Sequence, residues 1–265
     1  MRTAFITGAT SGIGREFARR YALQGYALIL TGRRRERLEE LRSGLDVPCR
    51  LIEADLADTT QVESLFKAVA SVNIDVFINN AGFGTCGDFL YTDTEKEMNM
   101  LRVNDMAMHY LFKQMLRKME ERGKGVILNV ASSAGLFPGG PYMAAYYASK
   151  AYAVSLTRAV AAELKAAGSR VRVYALCPGP VDTEFNENAD VEFALKGISA
   201  AECVDEAIRG MKGRSAVIVP TLFMKAVCAG QRLLPPAVCT RMVGMQQKKK
   251  RGNNPERWKP IRDEQ

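Results

Sequence analysis

Histidine is almost absent from this chain: His109 is the single one in 265 residues. The six cysteines, Cys49, Cys86, Cys177, Cys203, Cys228 and Cys239, form no C-x-x-C pair, so spacing assembles neither a zinc set nor a dithiol motif. No metal site is expected, and the cysteines read as small buried hydrophobes in a reducing compartment. No run of about 18 apolar residues occurs, which argues against a membrane-spanning helix. The sequence opens at once on a strand-like Thr3-Ala-Phe-Ile-Thr7, leaving no room for the charged and apolar regions of a secretory signal and predicting a cytoplasmic protein. Internal repeats and low-complexity tracts are also missing.

What is present is ordinary globular composition, 47% hydrophobic and 25% charged with 22 Gly and 10 Pro, which excludes disorder for most of the chain. One α/β domain with a continuous core suffices at this length. The net charge of +8 is uneven: residues 241–265 hold eight basic and three acidic residues, leaving +3 for everything before them. The excess belongs to a tail, whereas a nucleic-acid binder is expected to carry a basic face within its fold. No nucleic-acid partner is expected.

Short β-branched or aliphatic runs near 3–7, 26–31, 49–53, 74–79, 125–131, 170–176 and 215–219 alternate with helical patterns. This alternation predicts right-handed crossovers and a seven-stranded parallel, doubly wound α/β sheet. Ala27-Leu-Ile-Leu30 and Val126-Ile-Leu-Asn-Val130 are apolar throughout rather than alternating, as befits strands covered on both faces. From about Thr221 the pattern changes to Leu222, Phe223, Ala226, Val227, Leu233 and Leu234, interrupted by Pro235-Pro236. The expected organisation is a catalytic body over 1–220, a helical extension of the same domain over 221–247, and a basic polar tail over 248–265 that contains Lys248-Lys-Lys-Arg251.

Strand one runs into Thr7-Gly8-Ala9-Thr10-Ser11-Gly12-Ile13-Gly14, followed by helical periodicity. Glycines on a strand-to-helix turn let a pyrophosphate approach the helix N-terminus, where free N–H groups and the dipole favour an anion; without a ligand the same motif is only a tight turn. Strand two ends in Thr31-Gly32-Arg33-Arg34-Arg35, where an acidic residue for a ribose 2′-hydroxyl would be usual. Arg33 and Arg34 instead offer charge and bidentate bonds to a 2′-phosphate, predicting NADP(H) in preference to NAD(H). Asp55-Leu56 and Asn79-Asn80-Ala81-Gly82 follow strands three and four at the ligand side of such a sheet, although either is by itself compatible with a cap or turn.

The candidate chemistry lies in Tyr146-Tyr147-Ala148-Ser149-Lys150. Tyr146 and Lys150, four apart on a helix, share a face, and an ammonium near a phenol favours the phenolate, predicting a lowered tyrosine pKa. Tyr147 is the competing tyrosine, and a Tyr and Lys on one helix are more often a packing ring and a snorkelling amine. Ser132 and Ser133 stand at the end of strand five, where a hydroxyl can hold a substrate carbonyl or simply begin a loop.

In these motifs and their order, together with Asn104 and Pro178-Gly179, the chain resembles the classical short-chain dehydrogenase/reductase (SDR) family up to about residue 220. The resemblance implies a Rossmann fold, an oxidoreductase of carbonyls and secondary alcohols, and a homodimer or homotetramer. It implies that Tyr146 exchanges the proton and also contacts the cofactor, that Lys150 lowers its pKa and binds the nicotinamide ribose, that Ser132 orients the substrate oxygen, and that Asn104 holds a water of the proton relay. The family's Asn-x-x-Ser pattern selects Ser132, whereas Ser133 gives the commoner thirteen-residue separation from Tyr146; Ser132 is preferred because the following loop absorbs an extra residue readily. Gly8, Thr10, Ser11, Gly12, Ile13 and Gly14 would hold the pyrophosphate, Asp55 and Leu56 the adenine, and Asn80, Ala81 and Gly82 the adenosine side, with Pro178, Gly179, Val181 and Thr183 at the nicotinamide.

Substrate choice is expected to rest on about 183–235, whose Phe185, Phe193, Ala194, Leu195, Ile198, Leu222, Phe223 and Met224 suit an apolar ketoacyl, lipid-like or steroid-like ketone, or equally a core. The extension resembles that of a subgroup of these reductases and, with Lys248 to Arg251, is a candidate for peripheral contact with an anionic membrane. A non-catalytic NADP(H)-binding redox sensor or scaffold is the alternative function. His109 has no place in the tetrad and is expected to be a packed or capping side chain.

Overall fold

Strand β1 (Thr3–Thr7) shows how the fold is organised. Its side chains alternate, Phe5 entering one apolar cluster and Ala4 and Ile6 the other, so both faces of the sheet are covered. The computed structural model describes residues 1–184 and 197–249, and all that follows concerns these. In chain order the body continues through α1 (Gly12–Leu23), β2 (Ala27–Gly32), α2 (Arg35–Ser43), β3 (Cys49–Glu53), α3 (Thr59–Val69), β4 (Val76–Asn79) and α4 (Thr94–Leu101). A π-helical segment (Arg102–Ala107) joins α4 to α5 (Met108–Arg122), followed by β5 (Val126–Val130), a 3₁₀ turn (Ser133–Leu136), α6 (Ala144–Ala166) and β6 (Arg172–Leu176). The last part holds β7 (Val181–Asp182), β8 (Ile198–Ser199), α7 (Ala200–Gly210), β9 (Val217–Ile218), α8 (Leu222–Gly230), a 3₁₀ turn (Gln231–Leu233) and α9 (Pro236–Lys249).

Seven strands form one parallel sheet in the order β3-β2-β1-β4-β5-β6-β9, as the alternating pattern predicted. The Phe5 face packs on α3, α5 and α6 through residues such as Leu65, Leu111, Met115 and Val154. The opposite face packs on α1, α2 and α7 through Phe17, Leu38 and Val204. Phe5 and Phe77, paired in register between β1 and β4, stack at 4.9 Å between ring centroids. Here the chain order reverses, and such a switch point opens a crevice at the C-terminal strand ends.

Local chemistry fixes several helix ends. Asp58 caps α3 by accepting from the Thr60 and Gln61 amides, and Ser199 and Glu202 form a reciprocal capping box on α7. Gly123 ends α5 in the left-handed region at φ 71°. The sheet is tied to α5 and α6 by a buried polar chain: Asn79 Nδ2 donates to Met108 O (3.0 Å) and Asn129 Oδ1 (3.1 Å), and Asn129 Nδ2 donates to Thr157 Oγ1 (3.0 Å). Such a chain is favourable because its members satisfy one another.

The short parallel pair β7-β8 was not expected from the sequence. The strand expected near 215–219 contains only two ladder residues. Cys177, Cys203, Cys228 and Cys239 are buried, whereas Cys49 and Cys86 are half-buried, and all six are free thiols. No described helix is long and apolar enough to cross a membrane. Phe185, Phe193, Ala194 and Leu195 lie outside the described residues, as does the chain beyond residue 249.

Candidate active site

A cavity of about 1290 Å³ opens at the C-terminal ends of the strands and extends to the C-terminal helices. Every expected cofactor contact except Gly14 lines it, from Gly8, Thr10, Ser11, Gly12 and Ile13 through Arg33, Arg34, Asp55, Leu56, Asn80, Ala81 and Gly82 to Pro178, Gly179, Val181 and Thr183. Gly14 instead lies behind the turn. A Cβ there would stand 2.2 Å from Gly8 O and 2.5 Å from Asn80 Nδ2, too close for any side chain. Gly8 and Gly12 take φ values of 65° and 51°, which glycine adopts without strain.

Asn80 and Ala81 hold this turn in place. Asn80 Nδ2 donates to Thr7 O (2.9 Å) and Gly8 O (3.1 Å), and the Asn80 and Ala81 amides donate to Thr7 Oγ1 at 2.9 and 3.0 Å. Ser11, at the start of α1, makes no side-chain cap, and the first turn carries no acidic residue. The start of α1 therefore lines the cavity with no internal anion of its own, and the free N–H groups of a helix start suit a dinucleotide pyrophosphate. Asp55 Oδ1 accepts from the Ala57 amide (3.0 Å), which secures the turn after β3.

Arg33 and Arg34 are exposed at the cavity edge. Arg34 is shared with Glu184 at 3.6 Å, and Arg37 donates to the same carboxylate at 2.5 Å. These guanidinium groups hold Glu184 below the usual carboxylate range, the Arg37 hydrogen bond being the largest cause. Glu184 was not singled out from sequence, because only the fold brings it beside α2.

The other half of the cavity is organised by α6. Tyr146 and Lys150 are both buried and face the cavity, and the Lys150 Nζ lies 5.8 Å from the Tyr146 ring centroid. Ser132 lines the cavity with Tyr146, and its Oγ accepts from the Ala134 amide at 3.1 Å. Ser133 lines the same cavity, its amide donating to Pro178 O at 2.8 Å.

The expected lowering of the tyrosine pKa by Lys150 is not what the structure shows. Burial pushes Tyr146 up to about 12, with the Ser132 hydrogen bond acting in the opposite sense. Lys150 is itself pushed down to about 8 by burial, against the attraction of Asp105. Its ammonium donates to Val130 O (3.2 Å) and is aimed along the cavity floor beside Gly82 and Asn104. Desolvation is the largest cause for both groups.

Asn104 does not line the cavity. It stands just behind Gly82, where an added Cβ would be 2.8 Å from Asn104 Oδ1 and 3.2 Å from Lys150 Nζ. Its amide brackets Phe83, accepting from Phe83 N (3.1 Å) and donating to Phe83 O (2.9 Å), while it also donates to Ser149 Oγ (3.1 Å). Both N–H donors are thus occupied, leaving one oxygen lone pair for any water. The π-helical turn rotates this residue inward; such bulges are frequent at functional sites. Ser149, missed from sequence, links Asn104 to α6 by donating to Tyr146 O at 2.8 Å.

Asp105, also missed, has a carboxyl raised to about 6 by burial, with Lys150 opposing the shift. Its Oδ1 has no hydrogen-bond partner among the described residues. His109 packs on Tyr152, its Nδ1 2.5 Å from the Tyr152 hydroxyl, outside the cavity. Tyr147 turns to the C-terminal extension, its hydroxyl accepting from Gln247 Nε2 at 2.6 Å. Phe223 and Met224 line the cavity as expected; Leu222 is 81% exposed and does not.

A family model described as short chain dehydrogenase matches residues 2–192. An uncharacterized oxidoreductase of Staphylococcus saprophyticus is 31% identical over 85% of this chain and 97% of its own length. A short-chain dehydrogenase from Sphingobium yanoikuyae in complex with NADPH superposes with a TM-score of 0.79 at 29% identity, over 88% of this chain and 94% of that one. A short-chain dehydrogenase/reductase from Burkholderia phymatum in complex with NAD gives 0.77 at 25% identity, over 86% and 92% respectively. With the match spanning most of its length, this chain belongs to the short-chain dehydrogenase family of oxidoreductases.

Proposed function

We propose that the chain interconverts a carbonyl and a secondary alcohol on an apolar substrate with NADP(H), Tyr146 carrying the proton. The observation on which this rests is buried Tyr146 facing the same cavity as Ser132, Lys150 and the glycine turn. A bound nicotinamide dinucleotide supplies or accepts the hydride. The chain handles the proton: Tyr146, kept protonated at neutral pH by its burial, donates to the carbonyl oxygen during reduction. Ser132 orients that oxygen, while Lys150 offers a cation to the phenolate left behind and hydrogen bonds to the nicotinamide ribose. Asn104 acts through Ser149 and Phe83 as a positioning residue.

Preference for the 2′-phosphorylated cofactor is supported by Arg33 and Arg34 at the cavity edge and by the neutral end of β2. An apolar substrate is supported by Phe137, Met143, Phe223, Met224, Val227 and Val243 in the cavity wall. Exposed Met106 and Tyr152, on the Asn104 and Tyr146 helices, support self-association. Exposed Leu222, Phe223, Leu233 and Leu234 on the extension support contact with an anionic membrane surface, which co-sedimentation with anionic vesicles tests.

The test of the activity is NADPH absorbance followed against aldehydes, ketones and ketoacyl thioesters. Oxidation of NADPH by bulky apolar ketones, with NADH poorly used, is the expected result. Tight NADPH binding with no turnover on any carbonyl would overturn the proposal in favour of a non-catalytic sensor.

A further inference from the structure

Helix α9 closes one side of the cavity and is fastened to the body at several points. Gln231 Nε2 donates to Leu136 O at 2.6 Å, and Cys239 Sγ donates to Gln231 Oε1 at 3.4 Å. A Cβ on Gly244 would stand 3.1 Å from Pro141, so helix and loop are in close contact. The buried side chains of α9, Cys239, Val243 and Gln247, recur every four residues, which defines its inward stripe. Cys239 and Val243 are apolar, as an inward stripe should be. Gln247 is not.

Gln247 is only 3% exposed, lines the cavity, and spends one end of its amide on the Tyr147 hydroxyl. Its Oε1 is buried with no partner among the described residues. A buried amide oxygen without a partner is unfavourable, and a leucine there would complete the stripe without that cost. The arrangement makes physical sense if a molecule in the cavity donates a hydrogen bond to Oε1. Tyr147 supports the amide from α6, next to Tyr146, the two rings 6.4 Å apart and nearly perpendicular. The acceptor is therefore fixed relative to the proposed proton donor.

We propose that Gln247, held by Tyr147, is a specificity-determining subsite that selects apolar substrates with a second polar end, a hydroxyl that donates to Gln247 Oε1. This deepens the proposed carbonyl chemistry and rests on it for the identity of the reacting end. A site built to bond a hydroxyl discriminates strongly against an analogue without one, because its own polar atom is then left unpaired.

The test uses the full-length protein, with and without NADP⁺, and three probes: tetralone, its ring-hydroxylated forms, and the matching methyl ethers, which accept but do not donate. Binding is read by calorimetry and turnover separately by NADPH absorbance. At least one hydroxytetralone is expected to bind about tenfold more tightly than its methyl ether, the effect of one good hydrogen bond. Gln247→Leu should erase this preference, so that a hydroxytetralone and its methyl ether bind equally. Gln247→Glu, which keeps an acceptor, should retain it even if the leucine variant loosens α9. A preference that survives Gln247→Leu, or no preference in the native protein, would overturn the subsite. Selective binding without reduction of any tetralone would instead count against the carbonyl reaction and leave the subsite standing.

Discussion

The half of the cavity proposed for the nucleotide is built chiefly from backbone, and the half proposed for the substrate chiefly from side chains. Around Gly8, Gly12 and Gly14 the working groups are amides at the start of α1, and the neighbouring Asn80 serves to hold carbonyls of the turn. Around Tyr146 the wall is assembled from α6, the loop after β5, α8 and α9, whose residues meet only in the folded chain, through packing and side-chain hydrogen bonds such as Gln247 to Tyr147. A backbone site tolerates almost no added atom at its turns. A side-chain site can be retuned one residue at a time.

The sharpest way to break this contrast is Gly14→Ala. Its methyl would collide with the Gly8 carbonyl, so the turn must move, and NADPH affinity should fall by about 100-fold, the scale of misplacing a binding group by an ångström. Fluorescence titration with NADPH measures it; unchanged affinity would mean that the turn is not the phosphate cradle. Arg33→Ala should weaken NADPH binding by about 10- to 100-fold and leave NADH untouched, as expected for a charge-assisted contact to a 2′-phosphate. Arg34→Ala should cost less, because that guanidinium is already shared with Glu184. Equal losses for both cofactors would place the arginines elsewhere on the ligand.

A pH experiment separates the two directions of reaction. With Tyr146 pushed up to about 12, the protonated form needed for reduction prevails at neutral pH and the phenolate needed for oxidation is scarce. Alcohol oxidation should therefore rise about tenfold per pH unit from neutrality to about pH 8, where Lys150 begins to lose its charge, whereas ketone reduction stays flat over that interval. A flat oxidation profile would show that the tyrosine is not the titrating base. The smallest effect belongs to Tyr147→Phe, which removes the support of Gln247 but no reacting atom: KM for hydroxylated ketones should rise a few-fold with kcat nearly unchanged.

The same contrast explains what could be read from the chain. The sheet and its ligand edge were legible because apolar strand runs and glycine turns are local patterns, and Tyr146 with Lys150 because four residues on a helix share a face. Ser149 was overlooked although it lies within the same segment, since its value comes from reaching Asn104 on another helix. The π-helical turn over Arg102–Ala107 interrupts no hydrophobic pattern and so left no sign. Gln247 meets Tyr147 across 100 residues of chain, a separation no periodicity reports. The direction of the Tyr146 shift was misjudged because spacing reveals a neighbouring cation and says nothing of how deeply both groups are buried.

The central claim is that one buried phenol moves the substrate proton in a cavity whose cofactor half is independent of it. Tyr146→Phe, assayed for both NADPH affinity and ketone reduction, tests this most directly. The account predicts unchanged NADPH affinity with turnover reduced by at least about 100-fold, the usual contribution of a general acid. Near-native turnover in that variant would contradict it.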